Sequence, residues 1–285
     1  MRNLISNGLK RLVRNEPRYA RGDRHAHIIS IATVKGGVGK TTSAVNIASA
    51  LASRHDRKVL LVDLDAQGHC STSLAGALPS QPVHTPISQI LLGDEPRQVL
   101  DARVSTRIEN LDITLADPGL AEAEGRISQK IGKEMLLRDA LAITRTHYDY
   151  VLIDCPPNKG NLTLNALLAS QQVLIPTDLS PLAVQGADEL IDTVLTVNQR
   201  LKHELDVLGI LLTRVDGRNV SMNQSIREQI EEAWGELLFE TEIGVNTQIC
   251  QAQQAGEPIH TFAPKSRGAE HYDALVDEIL AALTQ

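Results

Sequence analysis

Apolar residues fall along the chain in two distinct patterns. Continuous runs rich in Ile, Val and Leu occur at 27-HIISIAT-33, 58-KVLLVDLD-65, 111-LDITLA-116, 150-YVLID-154, 172-QVLIP-176 and 207-VLGILLT-213. All six are short enough to read as strands, and the uninterrupted runs at 27–33 and 58–65 predict strands buried on both faces. Between them, apolar positions recur three and four apart. The segment 41–53 places Val45, Ile47, Ala48, Leu51 and Ala52 on one helical face, and further helices are expected near 133–144, 162–169, 181–200, 220–234 and 268–283. Strands alternating with helices predict an α/β fold, a mostly parallel twisted sheet with helices on both faces. A chain of 285 residues can bury one large core. The expected organisation is a basic, mobile extension over residues 1–26 and a single domain over 27–285.

Composition narrows the picture. Aromatic residues are only 2%, so the core has to be aliphatic. Cys70, Cys155 and Cys250 are far apart, with no CxxC pair, which fits neither a disulfide framework nor a zinc site and suits a reducing cytoplasm. No apolar run has the length of a membrane span. The net charge of −7 is unevenly spread: Arg2, Lys10, Arg11, Arg14, Arg18, Arg21 and Arg24 face only Glu16 and Asp23 in the first 27 residues. A basic arm on an acidic body suggests a polyanionic partner for the arm. Within it Leu4, Ile5, Leu9, Leu12 and Val13 have helix-compatible spacing, interrupted by Gly8.

The chemistry starts directly after the first strand, in 35-KGGVGKTT-42. Backbone N–H groups of a glycine-rich loop that opens a helix form a concave donor set for phosphate oxygens. Gly36, Gly37 and Gly39 let the backbone approach, Lys40 reaches the β- and γ-phosphates, and the Thr41 hydroxyl suits Mg²⁺. The general P-loop form has glycine where this chain has Val34, and it needs no lysine at position 35. Asp63, Asp65 and Asp154 stand at the carboxyl ends of predicted strands, which face the ligand crevice of a parallel sheet. Asp154 is placed to hold Mg²⁺ directly or through water, and Asp63 or Asp65 to orient an attacking water.

These segments, with 59-VLLVDLDAQG-68, 149-DYVLIDCPP-157, 162-LTLNAL-167, 209-GILLTRVDGR-218, 256-GEPI-259 and 264-PKSRGAEHY-272, resemble the ParA/MinD group of deviant Walker ATPases, a type of P-loop NTPase. The resemblance is strongest to the ParA/Soj partition ATPases. It implies ATP and Mg²⁺ as cofactors. Nucleotide binding then falls to Lys35, Gly36, Gly37, Val38, Gly39, Lys40, Thr41, Thr42, Thr213 and Arg214, and the metal side to Thr41, Asp63 and Asp154. Lys35 matches the signature lysine, which reaches the phosphates bound by the other subunit of a nucleotide-sandwich homodimer. Lys40 matches the P-loop lysine, Asp65 the acid needed for hydrolysis, and Gly36 the position where close approach of two subunits requires glycine.

The same resemblance implies a cytoplasmic, nucleoid-associated protein whose ATP dimer binds DNA non-specifically. Its slow hydrolysis is stimulated by a ParB-type or cargo-adaptor protein, in the service of plasmid or chromosome partition. The alternative cargo is not DNA: a chemoreceptor cluster, or a division or secretion apparatus. Arg218, Lys265 and Arg267 are the expected basic DNA surface. The chain departs from the family in having Ala66 where proline is common, and in 243-IGVNTQICQAQ-253, where two family arginines fall on Val245 and Gln248.

Two other classes fit less well. A MinD-like membrane regulator uses a C-terminal amphipathic helix, but 273-DALVDEILAALTQ-285 carries no lysine or arginine for anionic lipid. An iron–sulfur reductase needs paired cysteines, and a ligase of this lineage needs a further substrate pocket.

Overall fold

The computed structural model describes residues 19–80, 85–216 and 220–284. The strands are β1 (His27–Ile31), β2 (Val59–Asp63), β3 (Arg103–Ser105), β4 (Leu111–Thr114), β5 (Tyr150–Asp154), β6 (Gln172–Thr177), β7 (Asp206–Val215) and β8 (Ile243–Gly244). They form one sheet in the order β3-β4-β2-β5-β1-β6-β7-β8. Only β3 runs antiparallel to its neighbour. All six predicted strands are present; the two edge strands β3 and β8 are too short to leave a periodic signal.

Strands β1, β2, β5, β6 and β7 each serve two cores, which is why their sequences are apolar at consecutive positions. Ile28, Leu60, Val62, Val151, Ile153, Val173 and Ile175 point to one face. There they meet α3 (Ile87–Leu92), α4 (Gly119–Ile127), α5 (Leu136–Leu141), α6 (Asn161–Ala169), α7 (Pro181–Leu201) and α8 (Val220–Trp234). Ile29, Ile31, Val59, Leu61, Leu152 and Leu174 point to the other. That face is covered by α1 (Lys40–Ser53), α2 (His69–Ser73), α9 (Thr247–Ala255), α10 (Ile259–Phe262) and α11 (Arg267–Ala282).

The helix after the loop differs from its expected one-sided pattern. Every residue from Ser43 to Ala52 is buried, because α11 and α10 close over the side of α1 that faces away from the sheet. Its small residues make that close packing possible: alanines and serines occupy positions that a purely amphipathic helix would give to charged groups. The expected extension lies largely outside the described residues. Its final part is tied to the body: Gly22 N donates to Thr146 Oγ1, Ala26 N donates to the Arg145 carbonyl, and Tyr19 donates to Asp101. Among the described residues no helix is long and apolar enough to cross a membrane.

Candidate functional site: a phosphate-binding loop between two strand ends

Strand register assembles the site. In the β2–β5 ladder Asp63 pairs with Asp154, and in the β1–β5 ladder Asp154 pairs with Ile31. Two carboxylates and the start of the glycine loop therefore emerge side by side at the carboxyl edge of the sheet. The loop then turns through Gly37 at φ 82° and Gly39 at φ 78°, conformations that a side chain strains, and enters α1. Gly39 is the N-cap and no side chain caps the helix, which leaves first-turn N–H donors for an anion. Gly36 is different. It has no left-handed φ, and a Cβ placed on it meets nothing within 4 Å.

Asp154 is the centre of the polar cluster. Lys40 Nζ donates to its Oδ1 at 2.6 Å, Thr41 Oγ1 to its Oδ2 at 2.7 Å and Cys70 Sγ to the same oxygen at 3.2 Å. Asp154 is wholly buried and the Lys40 side chain is 7% exposed. Burial works against the charge on Lys40, but the Asp154 carboxylate overrides it and holds the ammonium above its ordinary pKa. Asp63 goes the other way. Burial, reinforced by the Asp154 charge, pushes it up to about 7, against the opposing N–H bonds of Ser71 and Asp65.

Asp65 is also buried, and it accepts Gln67 N at 3.0 Å, which closes the turn into α2. Thr42 is held from the C-terminal part of the chain, where Gln253 Nε2 donates to its hydroxyl at 2.6 Å. Thr213 donates to the Val38 carbonyl at 2.7 Å and fixes the back of the loop. Arg214, next in sequence, adopts φ 54° and donates to the Gly37 carbonyl at 2.7 Å. A non-glycine residue in this region is strained, and its guanidinium lies on the loop.

The donor set suits a hard divalent cation. Thr41, Asp154 and Asp63 offer oxygen, which fits Mg²⁺. The nearest sulfur is Cys70, whose donor atom lies within 4.8 Å of those of Asp63 and Asp154. Burial and the adjacent carboxylates push its thiol well above the usual range, in keeping with the bond it donates to Asp154.

The sequence-predicted residues thus converge, with two exceptions. Lys35 turns away from its own loop and bonds Asp178 and Ser180. The expected DNA surface is not part of the cluster: Lys265 and Arg267 are exposed around the N-cap of α11, and Arg218 lies outside the described residues. Val245, at a family arginine position, is 59% exposed. Sequence reading missed Asp178, although it follows β6 as Asp154 ends β5, and the same strand-end rule applies to it. It also missed Cys70 and Gln253, which carried no local signal.

A glycine loop opening an uncapped helix, beside two acidic strand ends of a parallel sheet, defines a P-loop ATPase. The comparisons refine the class. Residues 26–207 match the family model described as an AAA domain. The chain is 38% identical over 254 residues to the sporulation initiation inhibitor protein Soj of Bacillus subtilis, covering 89% of this chain and 98% of Soj. It is 35% identical over 256 residues to the chromosome partitioning protein ParA of Caulobacter vibrioides, covering 89% and 94%. It also superposes, with TM-score 0.76 and 31% identity, on cobyrinic acid a,c-diamide synthase from Mycobacterium smegmatis with bound ADP and magnesium, covering 91% and 96%. The chain belongs to the ParA/Soj-type ATPases.

Proposed function

We propose that the protein is an ATP-driven partition switch. It binds ATP and Mg²⁺ at the Lys40–Thr41–Asp154 cluster and dimerises around two nucleotides. The ATP dimer binds DNA non-specifically, and a ParB-type partner stimulates its slow hydrolysis. In this reading residues 27–285 are one ATPase domain preceded by a basic extension, and the protein works in the cytoplasm on the nucleoid.

The observation that carries the reading is the division of labour between the two lysines. Lys40 is buried on Asp154 beneath its own loop, next to where the phosphates of a bound nucleotide would lie. Lys35 is at the rim, 28% exposed, and takes no part in that cluster. Gly36 supports the same conclusion, since nothing within the protomer requires glycine there. A residue kept free of a side chain beside a lysine not used by its own loop suits a surface that another subunit approaches.

When bound, Mg²⁺ neutralises charge that develops on the phosphates. The chain's own groups do the rest. Thr41, Asp63 and Asp154 would hold the metal, Lys40 would exchange its bond to Asp154 for one to phosphate, and Asp65, fixed by its turn, would align water. Exchange of Lys40 from carboxylate to phosphate replaces one charge-assisted bond with another, because both acceptors are anionic oxygens.

The test is DNA binding with ATP, ADP or no nucleotide at several salt concentrations, for the full chain and for one lacking residues 1–18, which leaves the docked Tyr19 and Gly22 in place. Binding with ATP alone, with a steep salt slope, supports the switch. Binding that ignores nucleotide and disappears with the arm refutes it. An ATP-dependent dimer with no DNA affinity favours a non-DNA cargo, the reading to which exposed Val245 and Gln248 lend weight.

A further inference from the structure

The ammonium of Lys35 is fully engaged within its own protomer. It donates to both oxygens of Asp178, at 3.0 and 3.1 Å, and to Ser180 Oγ at 2.7 Å. An ammonium has three N–H donors, so this set is complete. Ser180 donates in turn to Asp178 Oδ1, and its backbone N–H donates to the Asp178 carbonyl at 2.8 Å. The acceptors are therefore held in a fixed turn between β6 and α7, with Ser180 at the N-cap and Pro181 in the first turn of the helix. Gly186 packs the next turn of α7 against the same lysine, where an added Cβ would lie 3.6 Å from Lys35 N. The two side chains are 28% and 19% exposed, sheltered without being sealed.

This arrangement conflicts with a role for Lys35 on another subunit's phosphates. The lysine cannot serve both, since all its donors are spent on Asp178 and Ser180. It must leave them to reach across a dimer. The two acceptors differ in strength: a carboxylate carries one negative charge, while a nucleoside triphosphate tail carries several and has more oxygens to offer.

We propose that Asp178 is a positioning residue for nucleotide-driven dimerisation, which holds Lys35 in its own protomer until the partner's bound triphosphate competes for it. The inference rests on the cross-subunit reading of Lys35. Asp178 thereby sets a threshold: two protomers close around nucleotide only when the gain at the phosphates exceeds the loss of this pair. The same contact links the lysine to α7, because Ser180 is both its third acceptor and the first residue of that helix boundary.

The experiment is sedimentation of the full chain with Mg²⁺ and ATP across a range of protein concentrations, for the wild type, Asp178→Asn, Lys35→Ala and the double variant. Asp178→Asn keeps the shape of the side chain and weakens the hold on Lys35. Its ATP dimer is expected at protein concentrations about three- to tenfold lower than wild type, the scale of a partly exposed ion pair. Lys35→Ala and the double variant are expected to remain monomeric, so that the gain from Asp178→Asn requires the lysine. An Asp178→Asn dimer that is unchanged or weaker overturns the proposal while leaving the role of Lys35 intact. A Lys35→Ala protein that dimerises like wild type removes the underlying reading instead. Should Asp178→Asn fail to fold, Ser180→Ala deletes one acceptor and retains the charge, and a smaller shift in the same direction is expected. A second readout does not depend on dimerisation. In the nucleotide-free chain, acylation of Lys35 measured by mass spectrometry is expected to be several-fold faster in Asp178→Asn, and an equal rate contradicts the hold.

Discussion

Asp63 and Asp154 stand opposite each other at the ends of β2 and β5, both completely buried, and only Asp154 has a cation bonded to it. Burial and the neighbouring Asp154 charge raise the Asp63 carboxyl from its ordinary value of 3.8 to about 7 in the fold. Between those values the folded chain binds a proton that the unfolded chain has released. The stability from this group is thus fully present below pH 4 and is lost as pH rises through 7. The urea midpoint of the nucleotide-free wild type should fall from pH 5.5 to pH 8, and Asp63→Asn should flatten that fall. Mg²⁺ affinity should rise over the same interval, because the metal needs the carboxylate free of its proton.

Removing Asp154 leaves the Lys40 ammonium buried without its counter-charge. Asp154→Ala should destabilise the nucleotide-free protein by about 3 kcal/mol, the scale of a broken buried ion pair. Denaturant unfolding checks this, and a loss below about 1 kcal/mol would mean that the lysine finds water or another acceptor.

Gly36 and Gly37 are adjacent but should respond differently. Gly37→Ala places a Cβ at φ 82° and should cost about 1 kcal/mol of stability. Gly36→Val meets open space, so its melting temperature should stay close to wild type while ATP-dependent dimerisation is lost. Thermal melts with light scattering in ATP separate the two effects.

Arg214 combines a strained backbone with a contact to the loop. Arg214→Gly should relieve about 1 kcal/mol of strain, offset by the entropy glycine adds to the unfolded chain, so the melting point should change little. Nucleotide affinity should fall, since the guanidinium no longer holds the Gly37 carbonyl. Calorimetric titration with ATP measures it.

Lys265 and Arg267 flank the N-cap of α11 with their side chains exposed. If they contact phosphates, replacing both with Glu should weaken DNA binding and reduce the slope of log K against log salt by about 0.9 for each lost contact. An unchanged slope would place the DNA surface elsewhere on the chain.

Much of this protein is decided locally. Continuous apolar strands can be stable only inside a sheet covered on both faces, so six strands, the central helices and the α/β class follow from pattern alone. The loop is equally legible: glycines at positions 37 and 39, a lysine at 40 and a threonine at 41 carry their chemistry in their spacing. The acids at the ends of β2 and β5 are visible for the same reason. What pattern cannot supply is the relation between distant segments. The short elements β3, β8, α2 and α10 exist because neighbours pack against them, not because their own residues favour them. Register, a property of paired strands, puts Asp63 beside Asp154, whose charge adds to burial in raising the Asp63 carboxyl. Asp178 lies 143 positions from Lys35 in sequence, and only the crossing from β6 into α7 brings its carboxylate to the ammonium. Local sequence places two lysines around one glycine loop; tertiary packing decides that Lys40 is seated on Asp154 beneath that loop while Lys35 is bound to a carboxylate outside it.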